Sequence, residues 1–342
     1  MLYQWSVIGA GPSGIAAVGK LIDYGINPKE ILWIDPHFRV GDFGILWRNV
    51  PSNTKVKLFL KFLNAVKSFE YNNHFPINDL DPEKNCSLKY IADPLQEITH
   101  HLKNQVNCLS SHALNIRLNN RCWEIDLKDT TVKSKNVILA TGSESKNLSH
   151  ENIETIPLSL AMDKEALKKH IGNDDTFAVF GSSHSAILTL RNLIENEVKQ
   201  VINFYRSPLR YAVYLDNWIL FDDTGLKGPT ADWARNYIDG HQPKNLSRYY
   251  ANNKSIQSFL PQCNKVVYAV GFQRRSLPTI ENMADIEYIE QCGIIAPGLF
   301  GLGIAFPEVK INPIGVTEHR VGLWKFMDYL QRVMPIWLNY PV

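Results

Sequence analysis

The chain has 342 residues, 45% of them hydrophobic and 20% charged, with a formal net charge of +2. That length has room for about two domains of roughly 100–200 residues, and the near-neutral balance argues against a nucleic-acid or acidic-membrane partner. No apolar run approaches the roughly 18 residues of a membrane span, and with an apolar strand within a few residues of Met1 a secreted protein is not expected.

The five cysteines, Cys86, Cys108, Cys122, Cys263 and Cys292, are scattered without a close pair. Neither a disulfide framework nor a zinc site is indicated, and a reducing cytoplasmic setting is expected.

Taken in order, the chain begins with Trp5-Ser6-Val7-Ile8, which reads as a buried parallel strand. It runs into Gly9-Ala10-Gly11-Pro12-Ser13-Gly14, a G-x-G-x-x-G turn, and a helix is expected from Ile15 to Ile22. Gly9 allows the tight turn, Gly11 lets backbone approach a pyrophosphate, and Gly14 lets the helix pack on the strand. The helix N-terminus then offers free N–H groups to phosphates. A second strand, Ile31–Ile34, ends in Asp35. An acid about 20 residues beyond the last glycine suits the ribose hydroxyls of a dinucleotide.

Gly41 to Trp47 reads as a glycine-bearing loop folding over a flat ligand, and Asn49–Thr54 as a turn. Lys55–Leu63 is a half-buried aromatic and cationic element. Residues 68–94 read as a proline-broken surface excursion, with Pro94 opening a helix through Leu102. His100 and His101 point apart on that helix and form no metal pair. Period-two segments around Leu114–Leu118 and Cys122–Leu127 predict an antiparallel ribbon. Asn136–Leu139 is then a buried strand entering Ala140-Thr141-Gly142.

A second domain is expected to begin near Ile156-Pro157. Phe177–Phe180, Gly181-Ser182-Ser183-His184-Ser185-Ala186 and Ile187–Ile194 repeat the strand–turn–helix logic, with G-x-S-x-x-A replacing the three glycines. The next strand, Val201–Tyr205, ends in Arg206. A base at the ribose-reading position suits a 2′-phosphate, which favours NADPH over NADH, and Arg210 stands near enough in sequence to help. The run G-S-S-H-S fails the nucleophile elbow G-x-S-x-G at its last position, so a hydrolase is not indicated. Residues 210–259 are unusually aromatic, a packing stripe and the best candidate for a substrate or partner surface. Strands are expected at Lys265–Phe272 and Ile286–Ile289, a strand and glycine-rich turn at Gly298–Ala305, and a last helix from about Val316 to Val333.

Two such turns, with A-T-G at Ala140 and A-V-G-F at Ala269, resemble the two-dinucleotide-binding flavoprotein superfamily, which includes thioredoxin reductases and flavin-containing monooxygenases. The resemblance covers nearly the whole chain. It implies an α/β fold of two Rossmann-like FAD/NAD(P)-binding domains: an FAD domain from residues 1–156 and 267–342, and an NADPH domain, 157–266, inserted into it. It implies that FAD is held by Gly9, Gly11, Pro12, Ser13, Gly14 and Asp35, with Thr141, Gly142 and Gly303 alongside and Trp47, Asn53 and Lys55 toward the flavin. NADPH falls to Gly181, Ser182, Ser183, His184, Ser185 and Arg206.

Disulfide reductases of the superfamily carry a close cysteine pair and usually an aspartate in the last turn, which here reads Gly301-Leu302-Gly303-Ile304-Ala305. The second turn is similar to the G-x-G-x-S-G/A of monooxygenases and N-hydroxylases, and Gly41–Trp47 to their G-G-x-W region. The expected function is an NADPH-reduced FAD oxidoreductase, a compact monooxygenase-like enzyme acting on a small molecule. The alternatives are an NADPH-dependent reductase or oxidase serving a quinone, protein or oxygen, and a non-catalytic nucleotide-sensing flavoprotein. No catalytic side chain and no metal site follow from the sequence, and homo-oligomerisation is left open.

Overall fold

The computed structural model describes residues 1–283 and 286–342. The chain divides into two units, one formed by Met1–Ser143 with Arg274–Val342 and the other by Glu144–Gln273.

The first unit is organised on a mixed sheet. Strand Leu2–Ile8 lies parallel between Ile31–Ile34 and Thr131–Leu139, and Asn107–Leu109 extends the parallel side. Thr131–Leu139 is long enough to serve two more partners on its other edge. Its first half takes the antiparallel ribbon Asn115–Asn119/Cys122–Asp126, and its second half takes Leu299–Gly301 in parallel. Helix Pro12–Asp23 covers one face with Ile15, Ala16, Ala17, Val18 and Leu21 fully buried. Its small residues let it sit close to the sheet, and the final helix Leu323–Leu338 packs against it.

The second unit is a five-stranded parallel sheet in the order Glu154–Thr155, Lys265–Tyr268, Thr176–Phe180, Gln200–Tyr205, Leu246–Tyr250. Such sheets are buried on both faces, and their strands read as continuous apolar runs. Helix His184–Glu195 packs on one face, and Ala178, Phe180, Ile202, Phe204, Val266 and Tyr268 form a cluster on the other.

The mixed α/β fold, with parallel strands at the centre of both units, is the one expected, and four local expectations are corrected. Pro94 does not open a helix but lies inside Lys89–Gln105. Burial of Ile91, Leu95, Ile98 and Leu102 along that helix outweighs the roughly 3 kcal/mol that an interior proline costs. The last helix starts at Leu323 rather than Val316, because Thr317–Arg320 instead forms an antiparallel hairpin with Glu308–Ile311. Gly322, at φ 138°, separates hairpin from helix. Ile286–Ile289 forms no strand: the Ile286 carbonyl accepts from Arg274, and Ile289 N–H donates to Ile294. Asn49–Thr54 is not simply a turn: Pro51–Lys55 pairs antiparallel with Asn85–Ser87, and a helix, Val56–Leu63, follows, burying Val56, Phe59, Phe62 and Leu63.

Candidate functional site

In the first unit, Pro12 occupies the first position of helix Pro12–Asp23, where its missing N–H is no loss. Gly11 precedes it with extended backbone, no side chain caps the helix, and no acidic residue lies in its first turn. The free N–H groups and positive dipole end are therefore available to an anion. No heavy atom lies within 4 Å of a Cβ placed on Gly11, so the space over the turn is open. A Cβ on Gly41 would stand 3.1 Å from Gly11 Cα, which brings the following loop to the same place.

Two more predicted residues converge there. The Thr141 hydroxyl, in the turn leaving strand Thr131–Leu139, is shielded from solvent and has no hydrogen-bond partner. Gly303 packs so closely on Ser13 that a Cβ would fall 2.2 Å from its Oγ. Arg274 anchors that turn by donating to the Ala305 carbonyl at 2.8 Å. Arg275, which sequence reasoning missed, pairs with Asp42 at 2.5 Å, and its N–H donates to the Gly142 carbonyl.

Asp35 has a task that its spacing did not show. Its Oδ2 accepts from Ala10 N–H at 2.7 Å, and its Oδ1 accepts from the N–H groups of His37 and Phe38 at 2.8 and 2.7 Å. A carboxylate offers about four lone-pair sites, so about one is left for a ribose hydroxyl. Trp47 is half-buried behind the Gly41–Ile45 helix. Asn53 is exposed and accepts from the Thr54 hydroxyl, and Lys55 pairs with Glu83 at 2.9 Å.

The second unit repeats the construction. Gly181 has φ +131°, and a Cβ there would meet the Ala269 carbonyl oxygen at 2.3 Å, so only glycine fits. Helix His184–Glu195 starts after Ser183 with no side-chain cap and no acid in its first turn. Ser182 and Ser185 are half-buried, and Ser183 is exposed. His184 Nδ1 is buried without a partner. Burial, reinforced by the Lys227 cation, drags its imidazole down to about 4, so it is neutral at physiological pH. Lys227 is itself held by the Asp222 carbonyl at 2.6 Å.

Arg206 is exposed and makes no hydrogen bond or ion pair among the described residues. Beside it the structure adds two residues that the sequence did not single out. Asn203 is fully buried, and its Nδ2 donates to the carbonyls of Val179 and Gly181, both at 2.9 Å. Its Oδ1 accepts from Arg248 Nε at 2.9 Å. No spacing rule could have paired them, since they meet only through the register of two parallel strands.

Among the described residues there is no group of three or more metal-ligating side chains. The five cysteines are free, and burial pushes the thiols of Cys86, Cys108 and Cys263 up to about 11.

No family model matches the chain. A monooxygenase of Paecilomyces divaricatus, AgnR1, is 34% identical to it over 97% of both chains. This chain belongs to the same monooxygenase family. Its fold is that of the two-dinucleotide-binding flavoproteins. The flavin-containing monooxygenase of Stenotrophomonas maltophilia superposes with a TM-score of 0.66 at 13% identity, covering 99% of each chain. The bacillithiol disulfide reductase Bdr of Staphylococcus aureus does so with a TM-score of 0.65, also at 13% and 99% of each. The family member is thus an oxidoreductase, as expected, and no described helix is long and apolar enough to cross a membrane.

Proposed function

We propose that this family member is a compact FAD-dependent monooxygenase that draws its electrons from NADPH and acts on a small organic molecule. FAD is assigned to the first unit and NADPH to the second. The observation that carries the reading is the duplicated cradle. Each unit has an uncapped helix N-terminus with a buried, unpartnered side chain at its turns, Thr141 Oγ1 in one and His184 Nδ1 in the other. Buried polar atoms without partners are uncommon in folded proteins, and a bound dinucleotide would satisfy both.

The residues fit that use. In the first unit the open space over Gly11 and the free N–H groups of Ser13 and Gly14 suit a pyrophosphate. Asp35 then works chiefly by holding the turn, with one oxygen site left for a ribose. Gly303, pressed on Ser13, and Gly142, held by Arg275, close the same cradle. Trp47, Asn53 and Lys55 are assigned to the flavin side of it. In the second unit Gly181 and Ser182 to Ser185 take the NADPH pyrophosphate, with Arg206 at its ribose. When bound, the cofactor pair supplies the redox chemistry, a hydride from nicotinamide to flavin and then oxygenation of the substrate with dioxygen.

His184, being neutral, offers Nδ1 as a hydrogen-bonding group without adding charge. The cysteines support oxygenation over disulfide reduction, since all five are free and none has a close cysteine partner in the sequence. The test is anaerobic mixing of the purified yellow protein with NADPH or NADH, followed by air and product analysis. Fast bleaching by NADPH, slow bleaching by NADH, and oxygenated product with little peroxide support the reading. A protein that cannot be loaded with flavin ends it.

A further inference from the structure

The second unit contains a guanidinium that is half-buried, aimed and without an ion-pair partner among the described residues. Arg248 lies on the edge strand Leu246–Tyr250, in register with Asn203 on the neighbouring strand. Asn203 spends both amide hydrogens on the carbonyls of Val179 and Gly181, which leaves Oδ1 facing Arg248 Nε at 2.9 Å. The guanidinium then lies over the Tyr205 ring, 4.6 Å from its centroid. With Nε bonded and one face stacked, the fork has one orientation, and its two terminal nitrogens have no partner among the described residues.

A half-buried charge is costly unless an opposite charge meets it. Burial does pull the Arg248 guanidinium below its ordinary value, though an arginine remains charged at any physiological pH. The carboxylate whose field it feels, beside the Tyr205 and Tyr211 phenols, is Asp239, and the Tyr211 hydroxyl already donates to that carboxylate at 2.5 Å. Tyr205 is the last residue of the strand whose end carries Arg206. That end is where a Rossmann-like unit reads the substituent on the adenosine ribose. A planar fork with two free nitrogens matches a phosphate.

We propose that Arg248, aimed by Asn203, is a specificity-determining residue that reads the 2′-phosphate of the dinucleotide at the second turn, with Arg206 assisting from the exposed side. This rests on the assignment of NADPH to the second unit. Because Asn203 also holds the Gly181 carbonyl, one side chain sets both the turn and the phosphate reader.

The test uses calorimetry on the flavin-loaded full chain, with adenosine 2′,5′-bisphosphate and 5′-ADP as probes. The wild type binds the bisphosphate more tightly. In Arg248→Gln that affinity falls by about ten- to a hundredfold, the value of a charge-assisted hydrogen bond or two, while 5′-ADP affinity moves less than about threefold. Arg206→Gln loses less. Arg248→Lys keeps the charge and loses the fork, so it retains part of the preference and, should the glutamine variant not fold, decides the question. Either Arg248 variant keeping the full wild-type preference overturns the proposal. A loss shared equally by both probes also overturns it, because it marks a merely structural role. A wild type that binds both probes equally refutes NADPH selection itself, a separate outcome.

Discussion

A Cβ placed on Gly14 would stand 1.9 Å from the carbonyl oxygen of Gly9. The two ends of the first turn are therefore in direct backbone contact, and the third glycine of the motif is a packing requirement. Gly11, between them, faces open space at φ −75°. The two positions should separate stability from binding. Gly14→Ala is expected to lower unfolding free energy by about 1–3 kcal/mol through overpacking and to give colourless protein. Gly11→Ala should leave the melting temperature of flavin-free protein nearly unchanged while weakening flavin retention, read by denaturant melts and by the visible spectrum. If Gly11→Ala holds flavin as firmly as wild type, the open space is not where the pyrophosphate lies.

Much of this architecture was legible because close backbone approach leaves a mark in composition. Gly9, Gly14 and Gly181 are glycines where a Cβ would meet a carbonyl, and the strands before them are apolar because both sheet faces are covered. What stayed hidden depends on partners far along the chain. Pro94 looked like a helix start because local rules know nothing of the core that Leu95 and Ile98 fill. Val316–Arg320 looked helical because its pairing partner, Glu308–Ile311, lies across a turn whose Gly315 has φ +82°. Arg248 was invisible as a site residue, since Asn203 meets it only through strand register.

Asp35 should prove structural as much as ligating. Replacing it with alanine leaves the buried N–H of Ala10, and those of His37 and Phe38, without their acceptor. Each lost hydrogen bond to a charged group is worth about 1.5–3 kcal/mol. Asp35→Ala is expected to destabilise flavin-free protein by about 3 kcal/mol or more, measured by urea unfolding. A variant that loses flavin affinity with unchanged stability would show that the ribose role dominates.

Glu308, the first residue of the last hairpin, is 4% exposed and accepts from Arg320 at 2.7 Å and Arg332 at 2.8 Å, with Lys310 at 3.4 Å. One carboxylate thus joins the hairpin Glu308–Arg320 to the helix Leu323–Leu338. Removing Glu308 is expected to cost about 1.5–3 kcal/mol, the value of hydrogen bonds to a charged group, because Asp328 still pairs with Arg320 at 2.9 Å and Arg332 at 3.5 Å. Glu308→Ala should lose that much and raise hydrogen exchange in Thr317–Arg320 first. Uniform exchange across the unit would contradict a local role.

His184 should make the flavin-loaded but NADPH-free protein acid-sensitive in a defined window. Its folded value lies at about 4, below the ordinary 6.5, because burial and then Lys227 oppose the imidazolium. The unfolded chain therefore binds the proton first as pH falls. The neutral imidazole's contribution is fully present above about pH 6.5, declines from there, and levels off below about pH 4, where the folded state also protonates. A shift of that size corresponds to up to about 3 kcal/mol at 1.36 kcal/mol per unit. His184→Gln removes the titrating group and keeps a hydrogen-bonding side chain, so its unfolding free energy should fall less steeply between pH 6.5 and 4 than that of wild type. Parallel slopes in that window, from urea melts at stepped pH, would mean that solvent reaches the imidazole and that Nδ1 is not sealed in the apo state.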